Sequence, residues 1–439
     1  MKHTVKKEAR EVSLELFCLS LATQYIKDKT SIDGALMAEL TRRLIAHESQ
    51  PGGPYFGPNH TLDFSTNLAI GYLFACFNTP LPNVTRFIQH RRTAAPHSAK
   101  QLLYAYDQLG GRVPKKLPPA PSEHLAIFAS VKKQLNQLQQ PEKAAALAFL
   151  HKIHQADTSF EIALLPTFFA NSLISKPSSP LPLYLLGQAN IYCWIAYSIY
   201  DKLLDDEPAV KFLPVANNTM RKSIQMYQSF FSPAHSFQQT ILTTFDSMDH
   251  ANAWELDNCR FKREGDTIKI STLPRYGRFD YLAQRSLGHI LGPLTVATLC
   301  DVSSESFRHI EKGLQHYLIA RQLSDDIHDW KEDIEAGHAS SVVTSILNHL
   351  HIPPDSYPVS SLLEEMQTAF WEDSMEATNA TIHRQLNLSR RHLLKSGVVK
   401  KNGEIFALHQ RLKDSATQST REHANYQTFL FAYSAPQDK

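Results

Sequence analysis

The run from Arg321 to Gly337, RQLSDDIHDWKEDIEAG, carries six carboxylates: Asp325, Asp326, Asp329, Glu332, Asp333 and Glu335. An apolar stretch, Ile310 to Leu323, leads into it, and neither Pro nor Gly intervenes before Gly337. This pattern predicts one helix that stops at that glycine. Spaced i, i+4, i+8, the residues Asp325, Asp329 and Asp333 share a stripe that drifts by roughly 40° and rises about 6 Å per step. Asp326 points about 100° away from Asp325, to support or solvation. Like charges at this spacing repel by about 0.2–0.5 kcal/mol per pair on an exposed helix.

One reading of such a stripe is a solvated acidic face beside Lys331. The other is a Mg²⁺ site, because hard divalent cations take oxygen ligands and bind through a few carboxylates plus substrate phosphates. A second acidic cluster upstream, SIYDKLLDDE, favours the metal. There Asp201 and Asp205 repeat the i, i+4 spacing, and Asp206 follows at once. Two such helices facing each other would hold cations between them.

The pair of motifs resembles the class I isoprenoid synthases: terpene cyclases, trans-prenyl diphosphate synthases, and squalene and phytoene synthases. RQLSDDIHDWKED is similar to their second Asp-rich motif, with Gln322, Asp325, Asp326 and Asp329 at the positions of Gln and the DDxxD carboxylates. Asp325, Asp329 and Asp333 also match the three-ligand spacing of terpene cyclases. Lys202 replaces the second Asp of a DDxxD first motif, so Asp201 and Asp205 resemble instead the DxxxD of squalene and phytoene synthases. The resemblance spans roughly residues 150 to 430. It implies an all-α fold, a class I terpenoid synthase-like helical bundle, and Mg²⁺ ions (Mn²⁺ as the alternative) held by Asp201, Asp205, Asp206, Asp325, Asp329 and Asp333. The implied substrate is a prenyl diphosphate.

Composition agrees with a helical enzyme and excludes several other classes. Gly is scarce, with 16 residues, and strand-like alternation is rare. Basic and acidic residues number 45 and 43, so charge makes no case for nucleic acid or an anionic membrane. The 21 histidines form no HExxH or similar metal spacing. Five dispersed cysteines without a CxxC suggest free thiols in a reducing compartment. No apolar run reaches the roughly 20 residues of a spanning helix. A cytoplasmic protein, with a homodimer as one arrangement, is the expectation.

Along the chain, an N-terminal helical unit is expected over 1–110, a Pro-rich linker over 111–123 and the catalytic helical domain over 124–439. Val12 to Ile26 and Gly34 to His47 read as amphipathic helices, and a further helix starts near Ser65 or Thr66. The loop ESQPGGPYFGPNHTLDFSTN, with the helices on either side, is similar to one repeat of the α/α-barrel domains of prenyltransferase β subunits and triterpene cyclases. Asp63 stands alone where class II cyclases carry DxDD, so the unit reads as a degenerate barrel-like or plain helical scaffold. In the second unit, helical patterns cover His124 to Leu138, Pro141 to His154 and Leu183 to Asp206. Gly288, Gly292 and Pro293 suggest a kinked or broken helix at pocket depth.

On the first motif helix, Asn190, Cys193, Trp194 and Tyr197 lie on the stripe leading to Asp201 and are candidate pocket residues. Aromatic faces can stabilise a carbocation, although aromatics on a buried helix are also ordinary core. Tyr317 and Arg321 extend the second stripe, with Gln322 beside them. Arg321 could bind diphosphate or pair with Asp325. Arginine forks suit phosphate oxygens, and Arg278 and Arg285, seven apart, could share a helix face as further diphosphate contacts. In the segment EPAVKFLPVANN that follows Asp206 only Lys211 is basic, so the Arg pair of chain-elongating prenyltransferases is missing. A single-substrate terpene synthase, a carbon–oxygen lyase acting on a diphosphate, is therefore the leading expectation. Head-to-head or chain-elongating prenyl transfer is the alternative, and a non-catalytic helical scaffold the third.

Overall fold

The computed structural model describes residues 64–76, 82–91, 103, 106, 120–175, 177, 179–204, 210–417 and 420. The chain divides into two compact units, 1–117 with 419–439, and 118–418. In the first unit, helices α1 (Phe64–Cys76) and α2 (Pro82–Arg91) pack on each other. The side chains of Val84, Ile88 and Tyr106 close over Gly71, and the Tyr106 hydroxyl donates to Thr85 at 2.9 Å. The two more N-terminal helices, the Pro/Gly loop and Asp63 fall outside the described residues.

The second unit is all-α apart from one small sheet. It begins with α3 (Ser122–Leu135), α4 (Glu142–Ala156), α5 (Glu161–Asn171) and α6 (Leu183–Leu204). Then come α7 (Leu213–Gln228), α8 (Phe237–Asn258), α9 (Asp280–Arg285) and α10 (Leu287–Leu299). The long α11 (Ser304–Glu335) is followed by α12 (Ser341–His349), α13 (Val359–Ala369) and α14 (Met375–Lys395). Residues 405–417 are also helical. Strands β1 (Lys262–Glu264), β2 (Thr267–Lys269) and β3 (Ser356–Pro358) form an antiparallel sheet in that order, with Arg263 opposite Ile268 and Ile268 opposite Tyr357. No helix among the described residues is long and apolar enough to cross a membrane.

Helix α11 is the central element. Its buried Ile310, Leu314, Tyr317, Leu318, Leu323, Ile327, Trp330 and Ile334 recur at helical spacing and join the larger core cluster. A second cluster lies between α3, α4, α5, α6 and α7. Both ends of α11 are chemically defined. At the start, the Ser303 hydroxyl accepts from the Ser306 N–H at 3.1 Å. At the end, Gly337 N–H bonds the Ile334 carbonyl at 3.0 Å and His338 N–H bonds the Asp333 carbonyl at 2.7 Å, a Schellman stop. Gly337 has φ 77°, and a Cβ there would sit 2.9 Å from the Phe261 carbonyl oxygen.

Two expectations need correction. The break near Gly288 falls earlier, at Ser286, where α9 ends and α10 begins. Gly288 instead lets α10 approach the Cys193 and Met248 sulfurs, and Gly292 lets it approach Pro166. Arg278 and Arg285 do not share a helix face, because α9 starts at Asp280 and Arg278 precedes Phe279, whose φ is 64°.

Gly337→Ala should therefore cost about 1–3 kcal/mol in denaturant unfolding. Gly397→Ala, where φ is 73° with open space around the missing Cβ, should cost less. Equal losses would mean that the Phe261 contact contributes nothing. His409 carries a second prediction. It is buried against the rings of Tyr317 and Phe406 and bonded to the Ser389 hydroxyl. Burial, helped by Lys413 and Arg390, pushes its imidazole down to about 3 from the usual 6.5. The unfolded chain then binds a proton that the fold refuses, so stability is complete above pH 6.5 and declines as pH falls towards 3. The decline should approach ~1.4 kcal/mol per pH unit, and His409→Gln should flatten it in pH-dependent urea titrations.

Candidate active site

One cavity of about 570 Å³ opens between the C-terminal half of α6, the α9–α10 junction, α8 and the acidic end of α11. Helix α6 contributes Cys193, Trp194, Tyr197 and Asp201 from the stripe expected from helical spacing, together with Ser198 and Leu204. Helix α11 contributes Arg321, Gln322, Asp325, Asp326, Asp329, Glu332 and Asp333. Arg285, Ser286, His289, Met248, Asn252 and His338 complete much of the wall. Asp201 and the stripe Asp325, Asp329 and Asp333 thus face a common space. Asp205 and Asp206 fall outside the described residues.

The other expected residues divide. Asn190 and Tyr317 do not line the cavity but lie buried behind it. The Asn190 amide donates to the Ile162 carbonyl at 2.6 Å, and the Tyr317 hydroxyl donates to Glu161 at 2.7 Å. Arg278 is exposed and outside the cavity wall. Asp326 is not solvated. It accepts from the Gln322 amide at 3.0 Å, and from both the backbone N–H and the hydroxyl of Ser341, the first residue of α12. Burial lifts its carboxyl to about 6 against those bonds. Its structural task is to cap α12 and dock it on α11.

Two buried carboxylates that the sequence reading passed over organise the basic groups. Glu161 opens α5, whose N-terminus is capped by Asp157 through the N–H groups of Ile162 at 3.1 Å and Ala163 at 3.3 Å. His124 in turn holds Asp157 at 3.0 Å. The Glu161 carboxylate receives Arg321 Nε at 2.7 Å and lies 3.3 Å from His289 Nε2. Burial alone would raise Glu161, but the charge of Arg321, with His289 and Tyr317, holds it well below the usual carboxylate range. The Trp194 indole N–H donates to His289 Nδ1 at 3.0 Å, which leaves Nε2 as the proton-bearing nitrogen turned to Glu161. The Arg321 guanidinium also lies 5.0 Å from the Trp194 ring centre.

Glu255, at the end of α8, does the same on the other wall. It pairs with Arg285 Nη1, with Arg260 Nη2 at 2.9 Å and with His338 Nε2 at 3.4 Å. Arg285 Nη2 reaches across to Asp201 at 3.2 Å. His338 Nδ1 lies 3.2 Å from Asp333, so the residue after the glycine stop is fixed between two carboxylates. In the sequence, Glu161 and Glu255 show only as single acids within apolar surroundings, SFEIALL and NAWEL. That is a weak signal, and nothing in the sequence pairs either with a distant arginine.

The cavity is rich in negative charge. Six lining carboxylates, Asp201, Asp325, Asp326, Asp329, Glu332 and Asp333, face two arginines. Desolvation raises Asp325 and Asp329, and at Asp329 the neighbouring Asp333, Asp325 and Glu332 add to it. The stripe side chains present only oxygens, which suit a hard divalent cation rather than a soft one. Among the described residues no three His, Cys, Asp or Glu side chains are already gathered into a metal cluster. A cation here would draw separate carboxylates together and fill its remaining positions with water or substrate oxygen. The deeper wall is neutral and partly aromatic: burial pushes the Cys193 thiol up to about 12 and raises Tyr197.

No protein-family profile matches the sequence. No curated protein matches it either. A solved structure similar to this chain is the crystal structure of geranylgeranyl pyrophosphate synthase from Lactobacillus brevis. The identity is 16%, the TM-score 0.42, and the match covers 72% of this chain and 99% of that one.

Proposed function

We propose that the chain is a Mg²⁺-dependent terpene synthase of the class I type, which ionises a prenyl diphosphate and cyclises or eliminates from the allylic cation. The observation that carries this reading is the meeting of Asp201 with Asp325, Asp329 and Asp333 in one cavity whose depth is lined by Trp194, Tyr197 and Cys193. A diphosphate is repelled by six carboxylates, so it binds weakly to the two arginines alone and far more tightly with cations that reverse the local charge. The ligands would be Asp201, Asp325, Asp329 and Asp333, with Asp205 and Asp206 as further candidates. Bound Mg²⁺ would supply Lewis-acid stabilisation of the departing diphosphate.

The protein's own groups have separate tasks. Arg285 and Arg321, each gripped from below by a buried glutamate, direct N–H donors at the leaving group where negative charge develops. Trp194 and Tyr197 exclude water and offer ring faces to the allylic cation. The indole of Trp194 is held by its bond to His289, so its ring plane is preset rather than free to rotate.

Pure protein incubated with Mg²⁺ and geranyl, farnesyl, geranylgeranyl or geranylfarnesyl diphosphate should release a hydrocarbon or alcohol and inorganic diphosphate. Asp325→Ala and Asp201→Ala should abolish release, and Arg321→Ala should slow it about 100-fold or more. A product formed only when two prenyl diphosphates are supplied would assign prenyl transfer instead. No product from any single substrate or pair would refute both readings. Mg²⁺ with inorganic diphosphate should also raise the melting temperature, since a ligand at 100 times its Kd stabilises the fold by about 2.7 kcal/mol. No rise would favour a helical scaffold without the chemistry.

A further inference from the structure

The two cavity arginines are built into similar chains. On one wall, buried Glu255 holds Arg285 Nη1 while Nη2 of the same guanidinium bonds Asp201 at 3.2 Å. On the other, buried Glu161 holds Arg321 Nε at 2.7 Å while Nη1 lies 3.8 Å from Asp325. Each chain runs from a glutamate shut away from water, through an arginine, to a rim aspartate that is half exposed: Asp201 is 59% and Asp325 51% exposed. The inner contact is fixed by burial. The outer one joins groups that the proposed function needs for other partners, the aspartate for a cation and the arginine for diphosphate.

We propose that Glu255 is the positioning residue of a latch in which Asp201 masks Arg285 until a divalent cation claims the aspartate. This rests on the reading of the cavity as a metal–diphosphate site. In the free protein the outer edge of Arg285 is occupied by Asp201, which also leaves Asp201 partly neutralised. A cation at Asp201 breaks that contact and frees Nη2, while Glu255 keeps the guanidinium at the cavity wall. Diphosphate arriving with the cation then meets an arginine already aimed at it. Cation and diphosphate binding are thereby coupled through the protein itself, in addition to any direct bond between them. The Asp325–Arg321 contact, at 3.8 Å, is too long for a hydrogen bond and makes a looser version.

The coupling can be read without turnover and without metal. Inorganic diphosphate is titrated calorimetrically in EDTA into wild type, Asp201→Asn, Arg285→Gln and the double variant, with circular dichroism and melting temperature to check folding. Asp201→Asn should tighten metal-free binding roughly fivefold or more by releasing Arg285. In the Arg285→Gln background the same change should gain little, because there is no arginine to release. An equal gain in both backgrounds would mean that Asp201 acts only through its charge, and no gain in either would mean there is no latch; both overturn the proposal. Glu255→Gln should weaken diphosphate binding in the Asp201→Asn background, and Glu255→Asp should restore part of it. A purely structural glutamate would lower the melting temperature of both variants and leave that affinity unchanged. If the titrations come out as expected but no prenyl diphosphate is consumed, the latch stands and the proposed reaction falls.

Discussion

A carboxylate withdrawn from water needs positive charge or hydrogen-bond donors, and in this molecule two such groups meet positive charge at the cavity wall. Glu161 and Glu255 are each bonded to an arginine that faces the open space. Removing one partner of a buried ion pair typically costs about 3–5 kcal/mol, because the other is left uncompensated. The arginines are therefore held by the folding of α5 and α8 rather than by the flexibility of their own side chains. Helix α5 is in turn seated by Asp157 and His124, so the orientation of Arg321 traces back to the first helices of the second unit.

The same constraint accounts for the division of the cavity into two chemical zones. Near the mouth, carboxylates repel one another, and Asp329 shows it in a carboxyl raised by Asp333 and Asp325 in addition to its own desolvation. Deeper, the wall turns to Trp194, Tyr197 and Cys193, which carry no charge of their own, with the Arg321 guanidinium 5.0 Å from the Trp194 ring centre. A molecule with a multiply charged head and an apolar tail matches this gradient if cations accompany the head. Neither zone would suffice alone: the acidic mouth without the apolar wall is a cation site, and the wall without the mouth is ordinary core.

Much of this was legible in the sequence because it follows from helical period. The spacing of Asp325, Asp329 and Asp333, and of Cys193, Tyr197 and Asp201, places each set on one stripe, and the structure turns both stripes into the same cavity. Gly337 as a helix stop was equally legible, since a left-handed residue after an unbroken helical run has few other uses. What escaped is what depends on distant pairing. Glu161 and Arg321 meet only once α5 and α11 are packed, and local pattern carries no trace of it. Arg278 and Arg285 looked equivalent by spacing, and a helix that begins between them separates one into solvent and the other into the wall. The small sheet also escaped, because strands of three residues are too short to show alternation.

Asp326 alters how the acidic motif should be interpreted in evolutionary terms. It stands next to Asp325 in the sequence, yet its two oxygens are spent on Gln322 and on the first turn of α12. Selection on this position would act first on whether α12 docks. Under the proposed function, two adjacent aspartates persist together for unrelated reasons, one for a cation and one for a helix. A descendant that lost the proposed reaction would be free to discard Asp325, Asp329 and Asp333 long before it could discard Asp326.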